Sequence, residues 1–278
     1  MTRMFRNNLI LTIIFLVAYG FLYWNTIYEV VMDWYNDENY SHGFLIPFIS
    51  GYLIWQRKER LKEIVLKQSN IGIIIVLSGL CLFLLGKLSG EYFTMRISML
   101  VVLAGAILYV MGLRFFTSIL FPFIYLLFMI PLPFLIYDSM AFPLKLFVSD
   151  ISVGFLSSIG ILVVREGNII HLVNITLEVV DACSGIRSII SLLALSTAMA
   201  YLTQSGWARR LTLGVLAIPI AIFVNAIRVI GTGILAEKYG SKVAEGFFHE
   251  FAGLLIFGVA IVMLVFSAIV LNKISSKK

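Results

Sequence analysis

One cysteine stands where the chain passes from a polar, strand-like segment into an apolar helix. This residue, Cys183, lies in the run Glu178 to Arg187. The unpaired N–H groups and the dipole at a helix N-terminus favour the thiolate, and Arg187 follows at i+4 on the same side. A thiolate can attack a carbonyl and form a thioester. The alternative is that the thiol is only a small apolar side chain, as we predict for Cys81, which we expect to be buried in its apolar run.

Two further residues could take part in such acyl transfer. Arg228 lies in an otherwise apolar stretch, where a charge is costly, and it could stabilise an oxyanion or hold a substrate carboxylate. Its alternative is an anchor that reaches for the membrane surface. His249 lies near a helix start and could take the thiol proton and return it to the leaving amine. Its alternative is a helix cap or a solvated side chain.

Four residues are candidates for supporting or substrate-binding roles. Asn225 could orient Arg228 through its amide, and Arg187 could share the oxyanion or carboxylate role. Ser184 adjoins the cysteine. His42 could line a substrate groove, although the pattern favours an interfacial histidine beside a capping serine.

Composition sets the class of protein. Of the 278 residues, 60% are hydrophobic, and the mean hydropathy is +1.00. These values predict an all-α polytopic membrane protein, which we expect to be a single domain over residues 1–278 without a separate soluble domain. The two cysteines provide neither a disulfide framework nor a zinc pattern, and we expect no metal and no cofactor.

Apolar stretches predict about eight spanning helices. They lie near residues 8–24, 41–56, 70–87, 97–113, 115–137, 185–203, 211–229 and 250–271.

Charge predicts the orientation of these spans. Most of the 21 basic residues fall in segments on one side, such as 57–69 and 204–210, while most acids fall on or near the other. The positive-inside rule then places both termini in the cytoplasm. Cys183, Arg228 and His249 all reach the opposite, outer face. The net charge of +6 thus reflects topology, and we expect no nucleic-acid partner.

The region between the fifth and sixth predicted spans is ambiguous. Residues 139–162 are apolar enough for a ninth span, but that span would move Arg209 and Arg210 outside. A polar stripe of Lys145, Ser149 and Ser152 favours an interfacial or re-entrant helix. The β-branched runs that follow predict a small hairpin on the outer face, leading to Cys183.

Several blocks resemble the signature blocks of the exosortase/archaeosortase family. They are Asp181-Ala182-Cys183-Ser184-Gly185-Ile186-Arg187, Asn225-Ala226-Ile227-Arg228-Val229 and the later His249, with supporting blocks at Tyr40 to Leu45 and Arg165 to Ile170. The resemblance runs from about residue 34 to 260 and is strongest over 160–250.

The resemblance implies a membrane-embedded cysteine transpeptidase of the bacterial inner membrane. Its partners would be exported proteins that end in a short motif such as Pro-Glu-Pro, a transmembrane helix and a basic tail. Cys183 would be the nucleophile, Arg228 the stabilising arginine and His249 the third catalytic position. Archaeal relatives often have arginine at that third position, so the histidine favours the bacterial branch.

Two other readings remain open at this stage. A transporter or polysaccharide-export component would use Arg228 and His249 as a polar pathway, although the repeated halves typical of transporters are not evident. A lipid acyltransferase would share the cysteine nucleophile. The cleavage motif, the acceptor and the oligomeric state are left open.

Overall fold

The computed structural model describes the backbone of residues 2–173, 175–179, 185–240 and 247–275, and the side chains of residues 12–173, 175–179, 185–240 and 253–274. The helices are α1 (Thr2–Asn36), a 3₁₀ helix (Glu38–Phe44), α2 (Leu45–Trp55), α3 (Lys58–Lys62), α4 (Ile71–Ser89), α5 (Tyr92–Met111), α6 (Leu113–Tyr125), a second 3₁₀ helix (Leu126–Met129), α7 (Phe134–Ser158), α8 (Ile186–Thr203), α9 (Trp207–Tyr239) and α10 (Phe247–Ser275). The strands are β1 (Val163–Glu166), β2 (Ile169–Leu172) and β3 (Thr176–Glu178).

The predicted all-α polytopic class is confirmed. Within the described residues, seven helices are long and apolar enough to cross a membrane. They are Thr12–Asn36 of α1, all of α4, α5, α7, α8 and α9, and Gly253–Ile274 of α10.

Two of the eight predicted spans differ from this set. Residues 41–56 form the end of a 3₁₀ helix and the 11-residue α2, which is too short for a full span. Residues 115–137 contain most of α6, the second 3₁₀ helix and the start of α7. The break falls at Pro131 and Pro133, because proline lacks an N–H and disfavours helix in the residue before it.

The segment predicted to be interfacial is a regular helix. Residues 139–162 lie mostly in α7, whose 25 residues have the length and hydropathy of a span. The hairpin prediction is confirmed, since β1 and β2 pair antiparallel around Gly167 and β3 adds a third strand.

The chain divides into two compact units, residues 1–133 and 134–278. In unit 1, α4 and α5 form a hairpin whose connection is Gly90 and Glu91. Gly90 ends α4 at φ +67°, and the Glu91 carboxylate caps α5 by accepting hydrogen bonds from the N–H groups of Phe93 (3.0 Å) and Thr94 (2.6 Å). Both observations explain why the chain reverses here.

Glycines bring the backbones of α4 and α5 together. A Cβ at Gly79 would lie 2.6 Å from a methyl of Val102, and one at Gly105 would lie 2.6 Å from the Val76 nitrogen.

The prediction that Cys81 is buried is wrong, since its side chain is exposed. Two residues advance a helix by about 200°, so Cys81 lies opposite the packed Gly79.

Polar contacts join other helices of unit 1. The Arg96 guanidinium of α5 meets the Asp33 carboxylate of α1 at 2.6 Å, and the hydroxyls of Tyr23 and Ser98 lie 3.0 Å apart. Pro122 in α6 cannot donate to the Ser118 carbonyl, and Arg57 donates to that oxygen instead, at 2.6 Å.

Unit 2 is built around α9. Its partners α8 and α10 run antiparallel to it and share a core that includes Leu192, Leu213 and Leu264, all fully buried. At one end of this bundle the Gln204 side chain donates to the Ala268 carbonyl at 3.1 Å. The first residues of α8 and α10 therefore meet the C-terminal half of α9 at the other end.

The sheet and α7 cover that same half of α9. Val148 of α7 packs with Ile170, Val179 and Val229, while Leu156 packs with Leu172 and Ala236. This arrangement seats one face of the sheet on α7 and α9, beside the start of α8.

Candidate functional site

The structure describes only some of the predicted site residues. Cys183 and Ser184 lie outside the described residues, and for His249 only the backbone, in the first turn of α10, is described. Arg187 is the second residue of α8 and is partly buried. Asn225 and Arg228 lie on α9, three residues apart, and therefore share one of its faces.

The start of α8 is fitted closely against Asn225. Gly185 precedes α8 with φ +84°, and a Cβ there would lie 3.1 Å from both Cγ and Nδ2 of the Asn225 side chain. The left-handed conformation and the close approach both favour glycine. Asn225 is only 3% exposed, so this amide is fixed inside the protein.

The start of α10 lies against Arg228. A Cβ at Gly253 would lie 3.4 Å from Nη2 of the Arg228 guanidinium, which is ordinary van der Waals contact. Position 249 is four residues earlier on the same helix, and positions i and i+4 share a helix face. The helix that carries His249 is thus the one that adjoins Arg228.

One turn of α9 therefore has three neighbours. Asn225 meets Gly185 at the start of α8, Arg228 meets Gly253 of α10, and Val229 packs with Val179, the residue after β3. The sequence predicted that Cys183, Arg228 and His249 share one end of their helices. Among the described residues, this turn is where the segments adjoining all three come together.

The chemistry of this turn follows from its surroundings. The Arg228 guanidinium is partly buried between apolar helices, where charge interactions are stronger than in water. A guanidinium held in that way can bind a carboxylate or a developing oxyanion through charge-assisted hydrogen bonds.

Two glycines that allow this close packing, Gly185 and Gly253, were not predicted as site residues. The only signal in the sequence was their place beside the candidate cysteine and histidine.

His42 belongs to unit 1. This residue lies in the 3₁₀ helix before α2, and its Nε2 lies 3.2 Å from the Phe128 carbonyl oxygen. Burial is the main influence and lowers the pKa of His42 below its usual value, which favours the neutral ring. The fit against Phe128 accounts for His42 as a packed residue of unit 1, and its proposed substrate-binding role stays a prediction.

A buried charge in unit 1 was also missed. Arg96 is 8% exposed and pairs with Asp33. An arginine in an otherwise apolar helix is the signal that could have singled it out, as it did for Arg228. Its partner is 63 positions earlier in the chain, beyond the reach of local patterns.

Among the described side chains, no group of three or more His, Cys, Asp or Glu residues is placed to hold a metal ion.

Comparisons with known proteins identify the family of this chain. The family model of the transmembrane exosortases matches residues 34–266, which include α9 and the segments around it. Comparisons with curated proteins and with solved structures give no match. A match over most of the chain establishes the family, and this protein belongs to the transmembrane exosortases.

Proposed function

We propose that this protein is a cysteine peptidase or transpeptidase embedded in the bacterial inner membrane. Its substrates are exported proteins that end in a short motif, an apolar helix and a basic tail. The observation that carries the proposal is the single turn of α9 at Asn225 to Val229, which adjoins the start of α8, the start of α10 and the end of β3.

Covalent geometry ties Cys183 to this turn. The cysteine stands two residues before Gly185 in the sequence, and two residues of extended chain span about 7 Å at most. Gly185 in turn contacts Asn225. This closeness in sequence supports the proposal that the Cys183 thiol acts together with Arg228.

The reaction has two steps. The Cys183 thiolate adds to the scissile carbonyl, Arg228 stabilises the oxyanion, and collapse forms a thioester and releases the leaving amine with a proton from His249. Water or an amine then attacks the thioester, gives its proton to His249 and restores the thiol. Water makes the enzyme a peptidase, whereas an amine makes it a transpeptidase.

The proposed orientation places this chemistry at the periplasmic face. Arg209, Arg210 and Lys273 lie at the opposite end of unit 2 from Arg228. Basic residues favour the cytoplasmic side, so the C-terminus is proposed to be cytoplasmic.

The experiment follows a reporter protein whose C-terminus carries Pro-Glu-Pro, an apolar helix and a basic tail. Co-expression with the wild-type protein should shorten the reporter, and hydroxylamine should intercept the thioester as a reporter hydroxamate. Cys183→Ala should abolish both products while the protein still accumulates in the membrane. Cys81→Ala is the matched control and should process normally, because its side chain is on the exposed face of α4. Processing by Cys183→Ala at the wild-type rate would remove the thiol mechanism.

A further inference from the structure

We propose that the outer edge of β3 binds the substrate polypeptide as an added strand, next to the bond that is cleaved. This inference rests on the proposed function and concerns how the same site holds its substrate. The occupant is the extended segment of an exported protein that precedes its apolar helix.

The two edges of the sheet differ. In the order β1-β2-β3, strand β1 is tied to α7 by Arg165, whose guanidinium lies 3.1 Å from the Asp150 carboxylate. Among the described residues, β3 pairs with β2 alone. Its second edge has no strand beside it in that part of the chain.

Hydrogen-bond alternation shows which groups point to this edge. The Leu172 N–H donates to the Ile175 carbonyl at 2.8 Å, and the Val179 N–H donates to the Asn168 carbonyl at 2.9 Å. In an antiparallel pair every second residue bonds its partner, so residues 175, 177 and 179 direct their backbone groups towards β2. The N–H and C=O groups of Thr176 and Glu178 point the other way.

Such a row of backbone donors and acceptors is a template for another strand. An extended peptide that pairs with it gains main-chain hydrogen bonds, while its alternate side chains face opposite sides of the sheet. Thr176 and Glu178 are also exposed at their side chains.

The edge leads to the proposed catalytic residues. Val179, directly after β3, packs with Val229, and Arg228 is the neighbouring residue on α9. Cys183 follows Glu178 by five residues. A peptide paired with β3 would therefore bring its next carbonyl towards Arg228 and the thiol. Strand pairing also keeps the peptide extended, which leaves its backbone carbonyls open to a nucleophile.

Disulfide cross-linking tests this arrangement directly. The enzyme would carry Cys81→Ala, Cys183→Ala and Glu178→Cys, so that it binds the reporter without cleaving it and position 178 has the one reactive thiol. Single cysteines are then placed at eight successive reporter positions before its apolar helix. Directly opposite residues of a hydrogen-bonded pair on antiparallel strands have Cα atoms about 5.5 Å apart, which is within disulfide range. We expect cross-links at alternate reporter positions.

The matched control carries Glu166→Cys instead. This residue is exposed, lies on the same face of the sheet and belongs to β1, about 10 Å from β3 across β2. It should give no alternating pattern. Equal yields at consecutive reporter positions, or the same yields from positions 166 and 178, would overturn strand pairing at β3.

A second measurement separates backbone from side-chain recognition. Glu178→Pro removes the outward N–H but leaves the Val179 bond to β2, and proline is tolerated at a sheet edge. It should raise KM for the reporter on the order of 10-fold, the effect of losing one hydrogen bond of about 1.4 kcal/mol. Glu178→Ala keeps the N–H, so its KM should lie well below that of Glu178→Pro. Equal KM values for the two variants would contradict the inference.

The two hypotheses fail differently. If the wild-type enzyme cleaves the reporter but cross-linking does not alternate, strand pairing is wrong and the proposed function stands. If cross-linking alternates but the wild-type enzyme never cleaves, the edge binds peptide and the proposed function is wrong. If neither occurs, both are wrong.

Discussion

Arg228 and Arg187 are two cations near the start of α8, and Arg228 lies against α10. The guanidinium of Arg228 contacts Gly253, one helical turn from position 249, whereas Arg187 belongs to the first turn of α8. We therefore assign the oxyanion role to Arg228. Arg187 becomes the candidate only if Arg228 can be replaced without loss.

Replacing Arg228 with alanine should lower turnover of the reporter on the order of 100-fold, because the developing oxyanion loses its charged donor. Lysine should restore only part of the rate, since it lacks the planar fork of the guanidinium. Arg209→Ala, at the opposite end of α9, is the matched control and should leave turnover near wild type. A wild-type rate for Arg228→Ala would make this residue an interfacial anchor.

His249 can be tested through the reactivity of Cys183. If the histidine exchanges a proton with the thiol, Cys183 should react with iodoacetamide at pH 6–7 faster than an ordinary thiol, and His249→Ala should slow that reaction. Arginine cannot act as a base near neutral pH, so His249→Arg should be inactive in processing. The outcome that excludes a proton shuttle is substantial processing by His249→Arg, which would leave only a charge or hydrogen-bonding role.

The close packing of α8 and α10 against α9 depends on glycine residues. Gly185 lets the chain turn into α8 while the Asn225 amide lies directly against it. The loss of this fit should disturb the segment that contains Cys183 more than it disturbs the three-helix core, which lies along the rest of α9.

Gly185→Ala should therefore lower both stability and activity. An alanine at φ +84° costs about 1–2 kcal/mol, and its Cβ would also crowd Asn225. We expect a lower melting temperature in detergent and a larger relative loss of reporter processing. Gly231→Ala on α9 is the control, because a Cβ there meets no atom within 4 Å and alanine favours helix. Equal melting temperatures for the two variants would contradict this role for Gly185.

How well the elements could be predicted depended on the distance between interacting residues. The hydropathy of α4 or α8 is a property of consecutive residues, and these helices were predicted with nearly correct bounds. The break at Pro131 and Pro133 was also local but was overlooked inside a long apolar stretch. By contrast, the fit of Gly185 on Asn225 joins residues 40 positions apart, and no periodic pattern encodes it.

For the whole molecule, orientation is the main prediction. Reporter fusions at Lys62 and Gly206 should be cytoplasmic, and a fusion at Gly167 in the hairpin should be periplasmic, because basic segments are retained inside. Alkaline phosphatase activity and green fluorescence report the two sides independently. A cytoplasmic signal at Gly167 would place the sheet and the start of α8 on the inner face, and the periplasmic site would be wrong.

The glycine-lined hairpin of α4 and α5 has a consequence for biosynthesis. Its two helices are joined by only two residues and meet backbone to backbone, with Gly79 and Gly105 at the contact. Close approach of this kind favours association of helices within lipid. The pair can therefore leave the translocation channel as one inserted hairpin.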